Sequence, residues 1–283
     1  MKIVVLGATG YLGSRLVNRL AEEDHEVLCL KRENSSLENL LPSLNKVNLC
    51  NVSDFKEYLK NSKHFDCLIN AACKYPSNSK DDREIFESNL FTPLNVFFNC
   101  REYGINRLIT IGTGLPDEFN AYAFSKRKFA DICKWYGSRS ETNQRMEICN
   151  IELENYYGED EPQNRFLSGT IKKLKINEKI LLTEGDQKRD FIYIDDVIQA
   201  LMTLLNIPVL PDYIDLPLGT GIGVPIKEIV KYLKDITNSK SELCFGALEK
   251  RLFEPDSIAD CTKMKQLGIE VKYGWQEGLK KII

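Results

Sequence analysis

Tyr122 and Lys126 stand four residues apart in the run YAFSK, a spacing that puts both side chains on one face of a helix. Together they could do acid–base work that neither does alone. A phenol, with an ordinary pKa of about 10, is a poor proton carrier at neutral pH. A neighbouring ammonium favours the phenolate, as does the positive charge of an oxidised nicotinamide. The same lysine could hold the nicotinamide ribose. The chemistry would be hydride transfer at a carbon bearing oxygen, with the phenol handling the proton. The spacing alone proves little, because 12 tyrosines in a lysine-rich chain give on the order of one chance match. It occurs once. Thr113, at the end of the apolar run RLITIGT, could hydrogen-bond the reacting oxygen, or serve only as a capping or turn hydroxyl.

A second constellation could deliver that cofactor. GATGYLG, residues 7–13, has the form Gly-x-x-Gly-x-x-Gly and directly follows the apolar run KIVVL. Gly7 would let the chain turn sharply, Gly10 would let the backbone approach a pyrophosphate, and Gly13 would let a helix pack on the preceding strand. Thr9, Tyr11 and Leu12 share this hairpin, where the opening helix offers bare N–H groups and partial positive charge to phosphates. The trio could serve only a tight turn, but its place between a first strand and an amphipathic helix makes it a dinucleotide site. The end of the next strand reports which dinucleotide. An NAD site usually carries an acid there for the ribose 2′-OH. Here EVLCLKR ends in Lys31 and Arg32, with no acid before Glu33. Cations suit a 2′-phosphate, so NADP(H) is the expected cofactor and NAD(H) the alternative if both side chains are merely solvated.

Bulk properties narrow the class. A chain of 283 residues, 43% hydrophobic and 28% charged, fits one large α/β domain or two lobes. A net charge of -3 without long runs of one sign gives no electrostatic case for nucleic acid or a membrane surface. No apolar stretch approaches the roughly 20 residues of a membrane helix, and no signal-peptide pattern opens the chain. The nine cysteines are scattered without a Cys-x-x-Cys and read as reduced core thiols, so a cytoplasmic protein is expected. Only two histidines are present, His25 and His64, both in polar turns. A Ser-His-Asp hydrolase or a histidine-rich metal site would have to use one of them, so no metal is expected and the acid–base group lies elsewhere.

The elements that must position these residues follow from periodicity. KIVVLG, EVLCLKR, KVNLC, DCLINAA, RLITIGT and MEICNIEL read as strands. Leu12, Leu16 and Leu20 mark the first helix, with others predicted near 53–61, over 82–102 and from Ala121 to Tyr136. Continuous apolar strands separated by helices imply a parallel sheet covered on both faces, an α/β doubly wound fold of Rossmann type. After residue 152 the pattern becomes turn-rich, with helices predicted around Phe166–Leu174 and in DDVIQALMTLL, where Asp195 and Asp196 suit a helix start. The expected domains are residues 1–152 for the dinucleotide and 153–283 mainly as a smaller substrate lobe, with segments returning to the first.

GATGYLG, LINAA at 68–72, Asn89 in ESNLFTPLNVF, Thr113, YAFSK, RDFIYIDDV at 189–197 and the ending SIADCTKMKQLGIE together resemble the extended short-chain dehydrogenase/reductases of the NAD-dependent epimerase/dehydratase family. The resemblance covers nearly the whole chain and implies roles. Tyr122 would be the general acid or base, Lys126 its electrostatic partner and Thr113 the substrate anchor, with Asn89 supporting a proton relay through Lys126. Asn51, Ala71 and Ala72 would line the cofactor. Asn155 in LENYYG would contact the substrate phosphate or sugar, and Arg251 in EKRLFEP would clamp the pyrophosphate, unless it only pairs with Glu249 or Glu254. Arg189 and Asp190 would hold the lobes together. Related enzymes pair the 82–102 and Tyr122 helices across a dimer, so a homodimer is expected.

The sequence also departs from the family pattern. The stretch TGLPDEFNAY from Thr113 to Tyr122 is short. Asn51 replaces a usual aspartate, and Glu152 a common arginine. The Asp-Glu pair that sugar 4,6-dehydratases carry directly after this threonine is replaced by Gly114 and Leu115. The resemblance therefore leads to an NADPH-dependent reductase acting on the C4 keto group of a nucleotide-linked 6-deoxyhexose for bacterial surface polysaccharide (O-antigen). Two alternatives stay open: a nucleotide-sugar 4-epimerase with tightly bound NAD, and a non-enzymatic dinucleotide sensor.

Overall fold

Short apolar runs become strands, and the amphipathic stretches between them become the helices that cover the sheet. In the computed structural model, which describes residues 1–62, 64–76, 81–139, 145–249 and 254–283, the first part of the chain alternates regularly. Its elements are β1 (Lys2–Leu6), α1 (Tyr11–Glu22), β2 (Glu26–Lys31), β3 (Asn48–Asn51), α2 (Phe55–Lys60), β4 (Cys67–Asn70), α3 (Asp82–Phe86), α4 (Thr92–Glu102), β5 (Arg107–Ile111), α5 (Ala121–Gly137) and β6 (Glu147–Leu153). A later strand, Ile214–Leu218, completes a seven-stranded sheet in the order Ile214–Leu218, β6, β5, β4, β1, β2, β3. The β1–β2, β2–β3, β1–β4, β4–β5 and β5–β6 pairs are parallel. The strand order reverses between β1 and β4, which is the expected Rossmann arrangement and its ligand-binding switch point.

Residues in register give each face of the sheet its core. Val4, Leu28, Leu68, Leu108 and Ile148 share one face through the β1–β2, β1–β4, β4–β5 and β5–β6 registers. They pack with Phe55 of α2, Phe97 and Cys100 of α4, and Phe129 and Cys133 of α5. Each fully buried phenylalanine contributes roughly 1.5–3 kcal/mol. Leu12, Leu16, Val17 and Leu20 of α1 are buried as well. Cys29, Cys67 and Cys149 are buried on the other face of the sheet, and burial pushes their thiols up to about 12.

The predicted helix over 82–102 is not uniform. Between α3 and α4, Glu87–Phe91 forms a π turn. Pro93, near the start of α4, has no N–H for the carbonyl four residues earlier, and the ladder loosens just before it. Such turns recur at functional sites, and this one contains Asn89.

The chain divides into two compact units. One is Met1–Glu152 with Asn206–Leu216, and the other is Leu153–Leu205 with Pro217–Ile283. In the first, the largely buried Arg107 donates to Ile207 O (2.9 Å) and Pro208 O (3.1 Å) and through Nε to Glu147 (2.8 Å), which fixes the returning segment. The second is built on a three-stranded sheet ordered Gly223–Pro225, Lys188–Tyr193, Asn155–Tyr157, flanked by helices Phe166–Lys175, Ile194–Asn206 and Ile226–Ile236. Its hub is the fully buried Asp190. That carboxylate accepts from Thr220 N (2.9 Å), Thr220 Oγ1 (2.6 Å), Gly221 N (2.8 Å) and Ala259 N (3.3 Å). Arg189 donates to Pro255 O (2.6 Å) and Glu254 (2.7 Å). Both residues thus make these bonds inside the second unit. Asp196 lies in the first helical turn as expected. It also accepts from Lys272 N (2.9 Å) and Tyr273 N (3.0 Å). Burial pushes its carboxyl upward against those donors. No helix among the described residues is long and apolar enough to cross a membrane.

An Asp190→Asn variant would point an amide NH2 at N–H donors that now share a carboxylate. It is expected to lower stability by about 2–4 kcal/mol, read as a lower urea midpoint.

Candidate active site

The side chains singled out by chemistry gather where β1, β4 and β5 end. Asn120 opens α5 by accepting from Ala123 N at 2.9 Å, so Tyr122 and Lys126 occupy successive turns. Tyr122 is 8% exposed. Its ring lies 4.9 Å from that of Tyr75, tilted by 33°, among Ile85, Leu115 and Phe119. Lys126 is 3% exposed. Its Nζ donates to Ala72 O (2.6 Å) and Ile111 O (2.7 Å). Ile111 is the last residue of β5, and Ala72 lies just beyond β4. The ammonium is therefore solvated by backbone dipoles in place of water. Burial pulls its pKa below the ordinary lysine value, with the Cys73 thiol pulling weakly the other way.

The glycine loop meets the same strand end. Gly7 has φ +81°, and a Cβ there would come within 2.6 Å of Ala72 N and 2.7 Å of the Ala71 carbonyl carbon. A Cβ on Gly13 would fall on the Gly7 carbonyl oxygen. No side chain caps α1, whose N-cap is Gly10. The N–H groups of the first turn, including those of Leu12 and Gly13, have no partner within the helix. A loop with glycine at 7, 10 and 13, opening an uncapped helix, fits a dinucleotide pyrophosphate. Thr9 and Tyr11 lie in it, the Thr9 carbonyl taking a long bond from Asn39 Nδ2 (3.4 Å) and the Tyr11 ring lying 5.1 Å from the Arg15 guanidinium.

At the ends of β2 and β3, Lys31 and Asn51 meet. Lys31 Nζ donates to Asn51 Oδ1 (3.0 Å) and to Glu33 O (3.1 Å), while Asn51 Nδ2 donates to Asp54 (3.2 Å). Arg32 is exposed. Thr113 is buried, and its Oγ1 accepts from Leu115 N at 3.2 Å. This is the turn hydroxyl weighed from sequence, yet it leaves the hydroxyl hydrogen to donate.

Asn89 is fully buried, but its amide bonds go elsewhere than the relay implied. Oδ1 accepts from Lys74 N (2.8 Å) and Nδ2 donates to Lys74 O (2.9 Å). The side chain pins the segment beyond β4 and makes no hydrogen bond to Lys126 among the described residues. Asn155 belongs to the second unit, where its Nδ2 reaches Asp190 O at 3.4 Å. Arg251 lies outside the described residues. Glu254, one of its alternative partners, pairs with Arg189. The sequence reading passed over Arg127, whose Nε donates to Leu115 O (2.5 Å) and Nη2 to Gly114 O (3.2 Å). A cation directly after Lys126 was the only available signal.

Comparison of the chain with known proteins points to one family. The model of the NAD dependent epimerase/dehydratase family matches residues 3–212. The chain is 28% identical over 306 residues to CDP-abequose synthase of Salmonella muenchen, covering 100% of this chain and 97% of that protein. It is 24% identical over 308 residues to a putative UDP-glucose 4-epimerase of Methanocaldococcus jannaschii, covering 99% and 97%. The solved structure of UDP-glucose 4-epimerase with UDP-glucose from Thermotoga maritima superimposes with a TM-score of 0.86 at 20% identity, covering 99% of this chain and 97% of that one, a likeness of fold.

The buried ammonium has a measurable signature. Its folded-state pKa lies below the unfolded value, so between the two the unfolded chain binds more protons and stability rises with pH. Urea midpoints of the wild type should climb relative to those of Lys126→Met as pH rises toward the ordinary lysine pKa of about 10. A flat or opposite difference would contradict the burial of a charged Lys126.

Proposed function

We propose that this chain, which belongs to the NAD dependent epimerase/dehydratase family, uses NADPH to reduce the C4 keto group of a nucleotide-linked 6-deoxyhexose. Its setting would be the cytoplasmic synthesis of bacterial surface polysaccharide sugars such as those of O-antigen. The observation that carries the reading is the water-stripped Lys126 ammonium, held at the strand ends one helical turn from Tyr122. A nicotinamide cofactor bound along the Gly7–Gly13 loop supplies the hydride. Tyr122 gives its hydroxyl proton to the C4 oxygen, and Lys126 stabilises the phenolate left behind. Thr113, its oxygen engaged by Leu115 N–H, donates its own hydrogen to the same C4 oxygen. Asn155 is the proposed contact of the substrate phosphate or sugar, and Arg251 the proposed partner of its pyrophosphate, since a guanidinium suits phosphate oxygens.

Reduction is favoured over dehydration. Dehydration would need a carboxyl acid beside Thr113, but Asp117 is held by Lys128 (2.7 Å) and Arg127 (3.5 Å). NADPH is favoured by Lys31 and the exposed Arg32 at the end of β2, since no acid stands there to select a 2′-hydroxyl. The full-length likeness to CDP-abequose synthase supports a deoxy-sugar product. The likeness to a putative UDP-glucose 4-epimerase favours a second reading, epimerisation by the same residues with retained NAD.

The reductase should consume NADPH in proportion to product when offered CDP- and dTDP-linked 4-keto-6-deoxyhexoses, with NMR reporting the new C4 centre. Tyr122→Phe should lose about 10²–10⁴-fold in turnover while still binding cofactor. Interconversion of UDP-sugars without nucleotide consumption would establish the epimerase instead, and unaltered biological activity of Tyr122→Phe would leave only a sensor.

A homodimer is part of the proposal. Phe91 and Phe98 of the π turn and α4, and Phe124 and Trp135 of α5, expose 41–53% of their surfaces, and burial against the same face of a second copy would remove that apolar area from water. Light scattering should give twice the 32.4 kDa chain mass, and a monomeric mass would refute the dimer.

A further inference from the structure

The loop between Thr113 and Tyr122 is short, with a single helical turn at Asp117–Phe119. It is held from α5 rather than by its own length. Arg127 Nε donates to Leu115 O (2.5 Å) and its Nη2 to Gly114 O (3.2 Å). The same guanidinium lies 3.5 Å from Asp117 and 3.9 Å from Glu152, and Lys128 Nζ lies 2.7 Å from Asp117. The Arg127 side chain is 33% exposed, and ion pairs at such exposure contribute little. The two carbonyl bonds are therefore the specific part of the grip. A planar fork suits two adjacent carbonyls, and an ammonium does not reproduce it.

Leu115 transmits the grip. Its carbonyl is held by Arg127 and its N–H is donated to Thr113 Oγ1 at 3.2 Å. A hydroxyl oxygen already accepting an N–H turns its own hydrogen toward another acceptor. We propose that Arg127 is a positioning residue that, through Leu115, sets the Thr113 hydroxyl to donate to the reacting C4 oxygen. This rests on the ketoreductase reading. It assigns the trimmed loop a compensating anchor, one residue beyond Lys126 on the same helix.

The test measures NADPH oxidation with CDP- and dTDP-linked 4-keto-6-deoxyglucose, together with amide hydrogen exchange at Leu115, in the full chain. Arg127→Met is expected to lower kcat about 10–100-fold, the scale of a misplaced catalytic contact, with KM for NADPH unchanged. The Leu115 amide should exchange at least about tenfold faster while the amides of α5 keep their protection. Arg127→Lys should restore only part of kcat. Thr113→Val should lower kcat comparably, and adding it to Arg127→Met should cause little further loss, because residues acting through one contact are not additive. A wild-type kcat in Arg127→Met, or losses that multiply in the double variant, would overturn the proposal. If the wild type oxidises no NADPH with either sugar, the ketoreductase reading fails. The grip on Thr113 is then judged by exchange alone, with faster exchange at Leu115 upholding it and unchanged protection overturning it.

Discussion

A charged amine removed from water must be solvated by something else, and in this chain that requirement organises the first unit. The Lys126 ammonium takes the carbonyls of Ala72 and Ile111 as its solvent. Because those carbonyls belong to the ends of neighbouring parallel strands, the bonds fasten α5 across β4 and β5. The segment beyond β4 in turn lies against Gly7, so closely that no Cβ fits. The Gly7–Gly13 loop, the strand ends and α5 are thus one connected structure. Two hydrogen bonds offset part of the desolvation cost of the charge. The same burial pulls the lysine's pKa below its ordinary value.

The rest of the sheet supplies rigidity to that arrangement. Phe97 and Phe129 lock α4 and α5 onto the face shared by Val4, Leu68 and Leu108, so the helix that carries Tyr122 cannot roll without opening the core. Asn89 braces the Ala72–Lys74 segment from the opposite side through the main chain of Lys74. The second unit depends on a different constraint, the four donors converging on buried Asp190. The two units thus rely on opposite solutions: a cation among carbonyls in one, an anion among N–H groups in the other.

Much of this was legible from residue order because it depends on local pattern. Strands β1, β2, β4, β5 and β6 are apolar runs, and the glycine trio and the Tyr122–Lys126 pair declare themselves by spacing. What escaped depends on long-range placement. Periodicity reports which face of α5 is apolar, but not that Arg127 reaches back to carbonyls a dozen residues earlier. It does not show that Asp190 gathers the Thr220, Gly221 and Ala259 amides. Nor does residue order show that the buried Asn89 amide bonds the main chain of Lys74, as a buried amide must find partners. The π turn carries no periodic signature. The proline at 93 was its one visible trace.

That turn sets the phase of the helices around it. Each residue of an ordinary helix advances about 100° around the axis. Were Glu87–Phe91 wound as a regular helix with every residue kept, the two halves of the rod would be rotated against each other by close to that angle. Ile85, beside the Tyr122 ring, and Phe97, under the sheet, could not then both point inward. A local irregularity in the winding therefore lets one continuous stretch of chain keep two appointments, one with Tyr122 and one with the core.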